Sequence, residues 1–532
     1  MRNRTGYGAF ALLLALGALV LSLPAQADAT ITITTTSDSL SNDGQCSLRE
    51  AIIAANTDQA FNGCATGNGA DTLNLSPALP QPAVFLLTRS GAGEDGALTG
   101  DLDISGTLTL DGAGAAVIID GNSADRVLQI LPSARVTLSD VTLQHGNISG
   151  GGNGGGIAID LTGVLTLTNS LVTSNTASSG GGVLVLGRLT LNGGAVANNQ
   201  GGGIRNDGGS VVLKNAEIFG NTGGYGILNQ NTANLSLEGG RVSGNQGGIY
   251  NSTSFATLSG ASIISNTGGG GVVNLGTGMT RLTINHSAIM TNSAANGGGI
   301  SNSGIGAVAN IYDTRIGGNT ATTAGGGVYN NGLMTLNGST LDHNQARTGA
   351  GIDHSGGILH LTNDTFSGNQ ASDNGGGLYN RSDAILTNVT LQANTANGPD
   401  TGGNIFNDTA QLALRNSLVT GSEADGNCFN SGGSLNSSGY NLESADTCGL
   451  NATGDITNTN GLLGPLLDNG GPTFTHALLD GSPAIDAGSC TDAGGNPIPI
   501  DQRGFTRPQG AACDMGAFER SGHWCYLPLI AR

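Results

Sequence analysis

The sequence has few positively charged residues. Lysine and arginine together number 19 against 38 aspartates and glutamates, the formal net charge is −19, and Lys214 is the single lysine. Nucleic acids and anionic lipid surfaces are bound through basic protein surfaces. The composition therefore predicts no nucleic-acid partner and no anionic membrane partner, and it disfavours polyanionic polysaccharides such as pectate.

Long apolar runs are also scarce. Residues 11–23 form an almost wholly apolar run of 13 residues, shorter than the roughly 20 needed to span a bilayer. Two arginines precede the run, and the small-x-small string Ala25-Gln26-Ala27 follows it, as in a secretory signal peptide. We predict that residues 1–29 are a signal peptide, that the protein is secreted or displayed at the cell surface, and that no transmembrane segment remains after cleavage.

Cysteine occurs at only seven positions. Six of these lie in close pairs along the sequence, and such pairs in an exported protein predict disulfides. The pairs are Cys46 with Cys64, Cys428 with Cys448, and Cys490 with Cys513. Closeness in sequence does not prove connectivity, and Cys525 is left over.

Motifs for catalysis or metal binding are missing. The sequence has no calcium-binding nonapeptide array, no zinc-ligand spacing and no phosphate-binding loop followed by a helix. Of the NTD, DD, GHG and RIK motifs expected in a polygalacturonase, only NTD occurs, at residues 56–58. We therefore predict no metal and no cofactor.

Glycine, in contrast, is abundant, with 92 of 532 residues, and it follows a repeat. A glycine-rich turn followed by an apolar anchor residue recurs at intervals of 21 to 28 residues, with a mean of about 25. The anchors are Ile157, Val183, Ile204, Ile227, Ile249, Val272, Ile300, Val328, Ile352, Leu378 and Ile405.

Each repeat continues with short stretches in which apolar and polar residues alternate, such as residues 164–167 and 358–361. Alternation with period two indicates strands, and about 25 residues leave room for two or three of them. A propeller blade would repeat at about 40–45 residues, and a sandwich would not keep one unit over eleven cycles. The sequence therefore predicts an all-β protein, a right-handed parallel β-helix in which each turn lies about 4.8 Å from the next.

Two rows of asparagine support this interpretation. One row stands two residues after the anchors, where the side chain is expected to point inward, and His354 replaces asparagine once. Its members are Asn206, Asn229, Asn251, Asn274, Asn302, Asn330, Asn380 and Asn407. A second row is formed by Asn175, Asn221, Asn245, Asn266, Asn292, Asn319, Asn344, Asn369 and Asn394. Stacked amides can hydrogen-bond from turn to turn in a dry interior, so both rows are predicted to be structural.

Open strand edges at the two ends of a solenoid need a cover. Ser47, with Glu50 three residues later, forms a capping-box motif. This predicts a short helix whose Leu48, Ile52 and Ala55 close the first turn. The predicted domains are an N-terminal cap with the first strands over residues 30–106, repeats over residues 107–450, a C-terminal cap over residues 451–520 and a short apolar tail over residues 521–532.

The two ends resemble known segments. The string CSLREAI at residues 46–52 resembles the N-terminal CSLREA domain of bacterial secreted β-helix proteins. GSPAIDAG at residues 481–488, DQRG at 501–504 and CDMGAFE at 513–519 are similar to the choice-of-anchor Q segment that ends such chains. The glycine-rich middle is similar to the repeats of polymorphic outer-membrane proteins. Together the resemblances cover nearly the whole mature chain, and they imply surface display and a pectate-lyase-like shape without implying catalysis.

One constellation suggests a site. The residue after each anchor is expected to point outward, which places Tyr329, Asp353, Tyr379 and Phe406 in one row across consecutive turns. Aromatic rings beside polar groups suit a sugar, so this row is the predicted ligand-binding site. Asp353, Asp342 and His354 are the candidate catalytic residues, because carboxylates and imidazole transfer protons and a glycosidase normally needs two carboxylates.

Two functions remain open at this stage. The first is a non-catalytic secreted or cell-surface β-helix protein with a role in adhesion, glycan binding or surface display. The alternative is a carbohydrate-active enzyme, a lyase or glycosidase, acting on a neutral or basic polysaccharide. Either function implies a polysaccharide or a cell-surface glycan as the partner, and we expect a monomer.

Overall fold

A computed structural model describes residues 28–91, 93–112, 116–148, 150–276, 278–397, 400–422 and 426–521. All but the last two residues of the predicted signal peptide lie outside the described residues, as do Cys525 and all but the first residue of the predicted tail. The chain winds into a parallel β-solenoid of about 13 turns with about 25 residues per turn. The predicted β-helix is confirmed.

Each complete turn contains three strands, and each strand pairs in parallel with its equivalents in the turns before and after. The turn at Ile157–Ile159, Val164–Thr168 and Leu171–Thr173 is typical. Its first two strands belong to sheet 1 and its third to sheet 2. Left-handed residues such as Asn169 (φ 47°) make the tight bends between strands.

Sheet 1 contains 27 strands within the described residues. Its first-strand members are Leu102–Ile104, Leu128–Ile130, Ile157–Ile159, Val183–Val185, Ile204–Asp207, Ile227–Gln230, Ile249–Ser252, Val272–Leu275, Leu378–Asn380, Ile405–Asp408 and Cys428–Ser431. Its second-strand members are Ala29–Ile33, Ala70–Leu75, Thr107–Asp111, Arg135–Ser139, Val164–Thr168, Arg188–Asn192, Ser210–Lys214, Asn234–Glu238, Phe255–Ser259, Thr280–Asn285, Asp383–Thr387, Gln411–Arg415 and Ser434–Ser437. First and second strands are continuous in Ile300–Tyr312, Val328–Asn337 and Ile352–Thr362.

Sheet 2 is formed by the third strands, of which the described residues contain 15. They are Ala83–Leu86, Val117–Asp120, Val141–Gln144, Leu171–Thr173, Ala195–Ala197, Glu217–Phe219, Arg241–Ser243, Ser262–Ile264, Ala288–Met290, Arg315–Gly317, Thr340–Asp342, Thr365–Ser367, Thr390–Gln392, Leu418–Thr420 and Leu442–Glu443. Four consecutive turns add a further strand before the next glycine turn, and these strands form a small side sheet. They are Ser293–Asn296, Thr320–Ala324, Gln345–Thr348 and Gln370–Asn374.

Alternation of side chains places one apolar stack inside the solenoid. Leu165 lies between Val136 of the preceding turn and Leu189 of the following one, and all three are buried. Equivalent residues from the other turns join them in one continuous core. At about 25 cal/mol per Å² of apolar surface removed from water, this stacking is the main force that holds the turns together.

Both asparagine rows lie inside as predicted. In the first row, Nδ2 of Asn206 donates to Oδ1 of Asn229 at 2.7 Å, and the same contact repeats from turn to turn. In the second row, Nδ2 of Asn344 donates to Oδ1 of Asn369 at 2.9 Å and to the Ile316 carbonyl at 2.9 Å. Asn199 also belongs to the second row, although the sequence pattern did not single it out.

The predicted capping helix is present at Leu48–Thr57. Ser47 Oγ accepts a hydrogen bond from the Glu50 amide, and the Glu50 carboxylate accepts one from the Ser47 amide, so the capping box is complete. Arg49 is buried: its guanidinium contacts Asp38 at 2.6 Å and donates to the carbonyls of residues 97, 100 and 101. The helix therefore ties the first turn to the loop after Leu86.

The three predicted disulfides form with the predicted pairing, Cys46–Cys64, Cys428–Cys448 and Cys490–Cys513. Within the described residues, no helix is long and apolar enough to cross a membrane.

The C-terminal segment after residue 461 lies along the outer face of sheet 2. It contains the antiparallel strands Leu463–Leu467 and Thr475–Leu478. Its contacts are with the side chains of Thr340, Thr365 and Thr390, which stack in register on consecutive third strands. Thr340 Oγ1 donates to the Phe474 carbonyl at 2.6 Å, and Thr365 Oγ1 donates to Gln502 Oε1 at 2.6 Å. The segment also reaches the second strands of sheet 1, where the Arg415 side chain donates to the Thr491 carbonyl at 2.8 Å.

Candidate functional site

The predicted row is in register. Tyr329 is paired with Asp353, Asp353 with Tyr379, and Tyr379 with Phe406 on neighbouring first strands. Because every second residue of a strand points to the same side and the anchors point inward, all four side chains project from one face of sheet 1. The structure therefore brings these four residues together.

Asp353 lies at the bottom of this face, fully buried. Its carboxylate accepts hydrogen bonds from Thr348 Oγ1 at 2.7 Å, from Ser355 Oγ at 3.2 Å and from Arg381 Nη2 at 2.7 Å. A carboxylate with this many donors is held in place and screened from solvent. In this structure Asp353 positions Arg381 and does not itself face an open surface.

The aromatic members differ in exposure. Phe406 is 8% exposed and sits between Tyr379 and Phe429, with ring centroids 5.1 and 5.3 Å apart. Tyr379 is partly exposed, its hydroxyl donates to Asp408 Oδ2 at 3.0 Å, and the Arg381 guanidinium lies 4.9 Å from its ring centroid. Burial, followed by the hydrogen bond to Asp408, raises the pKa of Tyr379 to about 12. The stacked rings of Phe406 and Phe429 therefore hold the partly exposed Tyr379 ring in place.

The side sheet forms the opposite wall of a groove of about 320 Å³. Arg347 and Asp373 stand on neighbouring side-sheet strands and form an ion pair at 3.0 Å, with both side chains largely exposed. The groove is lined by Asn296, Thr323, Ala324, Tyr329, Arg347, Thr348, Asp373, Asn374, Tyr379 and Arg381. Two tyrosines, amides, a hydroxyl and paired charges therefore converge on one open cleft.

Asp342 lies elsewhere. It belongs to a third strand, in sheet 2, where its carboxylate accepts from Arg315 at 2.8 and 2.7 Å and contacts His343 Nδ1 at 3.0 Å. Arg315 in turn lies over the Phe474 ring of the C-terminal segment, 4.4 Å from its centroid. The structure does not bring Asp342 to the groove.

His354 points inward and occupies a place in the first asparagine row. The Asn330 amide donates to its Nδ1 at 3.0 Å, and its Nε2 donates to the Asp383 carbonyl at 3.1 Å. Burial lowers the pKa of the His354 imidazole. A neutral imidazole satisfied on both nitrogens replaces the asparagine amide here.

Arg381 and Asp373 were not identified from the sequence, and Arg347 was noted only as a polar residue near the predicted row. Arg381 follows Tyr379 by two residues, so the period-two rule could have placed it on the same face. Arg347 and Asp373 come from the additional side-sheet strands, whose turns have 28, 28, 24 and 26 residues, so repeat length does not mark all of them. Which side chains face each other across the groove depends on how these strands pack.

Within the described residues, no group of three or more histidine, cysteine, aspartate or glutamate side chains is placed to hold a metal ion. Asp373 is the carboxylate that lines the groove in this part of the chain, and it is already paired with Arg347. The arrangement suits hydrogen bonding to a polyhydroxylated ligand, because sugar hydroxyls both donate and accept.

Comparisons with known proteins give little further information. No protein-family model matches the chain, and no curated protein matches it. The solved structures that it matches include the crystal structure of the pectate lyase Pel9A, at 13% sequence identity and a TM-score of 0.24 over 93% of this chain and 96% of the other. A superposition with so low a TM-score supports no conclusion about substrate or activity.

Proposed function

We propose that this protein is an extracellular or cell-surface β-helix protein that binds a neutral glycan in the groove beside the side sheet, without catalysis. The observation that carries the proposal is the groove itself, in which Tyr329 and Tyr379 flank amide, hydroxyl and ion-paired groups. Rings provide apolar contact with a sugar face or edge, and the polar groups orient its hydroxyls.

The export of the protein rests on two observations. Three disulfides persist in oxidising compartments and are rare in the cytosol. The sequence of residues 1–29 has the pattern of a signal peptide. The CSLREA-like start and the choice-of-anchor Q-like end support display at a surface.

The way the acids are used supports the proposed absence of turnover. Asp353 is buried beneath Arg381, and Asp373 is engaged by Arg347. A glycosidase needs one carboxyl group that donates a proton and a second that acts as base or nucleophile. Neither carboxylate is free for these roles, because each already binds an arginine.

The experiment measures glycan binding by the purified protein on an array of neutral polysaccharides. Tyr329→Ala should weaken binding about three- to tenfold, the value expected for one aromatic contact. Tyr312→Ala is the matched control, because Tyr312 is an exposed tyrosine that does not line the groove. Equal binding by both variants and the parent would contradict the proposal.

Product assays on the same polysaccharides test the absence of turnover. We expect neither new reducing ends nor unsaturated sugars. If products appear and Asp373→Asn abolishes them, the protein is a carbohydrate-active enzyme and the non-catalytic assignment is wrong.

A further inference from the structure

A second surface with different chemistry lies on the outer face of the second strands of sheet 1. The first outward residues of three successive second strands are Arg135, Val164 and Arg188, which are aligned by the parallel register. Further along the same column, Phe255 is followed by Arg281. We call Arg135, Arg188 and Arg281 the arginine column; all three are exposed.

Each of these arginines begins the same short pattern. The strands read Arg-Val-Thr-Leu-Ser, Arg-Leu-Thr-Leu-Asn and Arg-Leu-Thr-Ile-Asn from residues 135, 188 and 281. Because alternate residues share a face, every arginine has a threonine and then a serine or asparagine beside it on the outside. The outward neighbours of each arginine on its own strand are therefore polar and uncharged, and they include a threonine hydroxyl. Other second strands of this face carry charged residues at their last outward position, among them Asp111, Lys214 and Glu238.

The arginines of this column have no counter-ion. Across the described ranges, the side chains of Arg135, Arg188 and Arg281 form neither an ion pair nor a hydrogen bond with another protein group. Most other arginines differ: Arg126, Arg205, Arg315, Arg347 and Arg381 each have a carboxylate oxygen within 3.0 Å. In a chain with a net charge of −19, cations that are left unpaired on one face are available for an external anion.

A groove of about 490 Å³ separates Arg135 from Arg188. Its floor is backbone: a Cβ at Gly187 would approach the carbonyls of residues 163 and 160 to 2.3 and 2.4 Å, so no side chain can fill it. Among the described residues no aspartate or glutamate lines the groove. Asp160 and Asp207, which stand in nearby bends, are bound to Gln129 and Arg205.

We propose that this face binds an acidic polysaccharide whose carboxylate or sulfate groups pair with the arginine column. Arg135 and Arg188 are two turns apart, which sets their spacing at about 10 Å along the solenoid. Guanidinium groups bind such anions through paired N–H donors, and neighbouring threonine and asparagine side chains reach the sugar hydroxyls. The ligand is thus a polymer with charges spread along its length.

The negative net charge of the molecule does not prevent binding of an acidic polysaccharide to this face. At physiological ionic strength charges are screened over about 8 Å, so the local face determines the interaction. Duplex DNA is a poorer match, because it carries one charge per about 1.7 Å and its affinity depends on many basic contacts. Three arginines on an acidic protein cannot supply them.

The test compares the parent with the double variant Arg135→Gln/Arg188→Gln on a polyuronate, on dextran sulfate and on neutral dextran. The parent should bind one or both charged polymers and not dextran, with affinity falling as salt is added. The double variant should lose about two- to fivefold in affinity for each arginine removed, as expected for solvent-exposed ion pairs. The preferred polymer identifies the anionic group as carboxylate or sulfate.

The matched control is Arg241→Gln/Arg520→Gln, which removes one cation from sheet 2 and one from the C-terminal segment, both away from the arginine column, and changes the net charge equally. This control should bind like the parent. The proposal is overturned if the parent binds neither charged polymer, if the two double variants bind equally, or if duplex DNA is bound as tightly. The site is independent of the glycan groove, so Tyr329→Ala should leave polyuronate binding unchanged.

Discussion

At the residue scale, buried polar groups determine how the turns stack. Asn344 shows the principle: its amide donates to Asn369 and to a carbonyl, and its oxygen accepts from the backbone amide and the side chain of Asn319. Every hydrogen-bonding group of the buried side chain is satisfied, which avoids a cost of about 1–3 kcal/mol per unpaired group. In the first row, His354 accepts from Asn330 but binds the Asp383 carbonyl instead of the next asparagine. The series of side-chain hydrogen bonds therefore stops there and resumes at Asn380.

Asp103 is a buried exception. Its Oδ2 accepts from the Ala97 amide, while its Oδ1 has no partner among the described residues. Burial, and secondly the nearby Asp101 carboxylate, raise the pKa of Asp103 to about 8, and burial raises the pKa of Asp101 to about 6. Both groups stand beside the capping helix, since the Asp101 carbonyl binds Arg49.

This arrangement predicts that the protein loses stability as the pH rises. The folded pKa of Asp103 lies above its unfolded value, so the folded state binds the proton more tightly and the contribution is lost as the pH rises through about 8. Thermal melts should show a lower Tm at pH 9 than at pH 6. Asp103→Asn should reduce this difference, and Asp446→Asn, at an exposed position, should not. The same loss in all three proteins would contradict the prediction.

At the scale of elements, the capping helix is determined by residues that are close in the sequence, whereas the side sheet is determined by pairing between successive turns. The helix depends on the capping box of Ser47 and Glu50 and on the Cys46–Cys64 disulfide, whose cysteines are 18 residues apart in the sequence. The side sheet exists because the equivalent segments of four consecutive turns are extended and pair with one another from turn to turn. It creates one wall of the glycan groove.

The capping element yields a stability prediction. Ser47→Ala should cost about 1 kcal/mol of unfolding free energy, as for other N-caps. Adding Cys46→Ser should cost about 2–4 kcal/mol more through loss of the disulfide. Denaturant unfolding measures both, and aggregation should increase because the strand edge is uncovered.

Ser259→Ala, at an exposed serine of a second strand far from the cap, is the control and should be neutral. If the Ser47→Ala/Cys46→Ser variant unfolds at the same midpoint as the parent and remains monomeric, the helix does not protect the first turn.

At the scale of the whole molecule, the solenoid is a rod with chemically distinct sides. About 13 turns at about 4.8 Å per turn give a length near 60 Å. The C-terminal segment occupies the side of sheet 2, which leaves the glycan groove and the arginine column on open faces.

Small-angle X-ray scattering should therefore give the profile of an elongated monomer with a maximum dimension of at least about 60 Å. A compact, near-spherical profile of the same mass would be incompatible with the stacked turns. A dimension doubled along the axis would show that the ends associate and that the monomer expectation is wrong.

The sequence alone was enough for the fold and for what is inside it. Apolar anchors every 25 residues or so and period-two alternation are local patterns, and they predict the turns, the inward asparagines and the outward row. Close cysteine pairs and the capping box are local too, and the disulfides and the helix formed as predicted.

Only the tertiary structure decided the chemistry of the surface. Asp353 is buried because Arg381, 28 residues later, covers it, and no local pattern reports that contact. Arg135 and Arg188 share a groove because strand register aligns residues that are 53 positions apart, and the C-terminal segment covers sheet 2 through contacts such as Thr340 with Phe474, 134 positions apart. Repeats determine the scaffold because each turn meets only its neighbours, whereas sites arise where separate turns and segments converge.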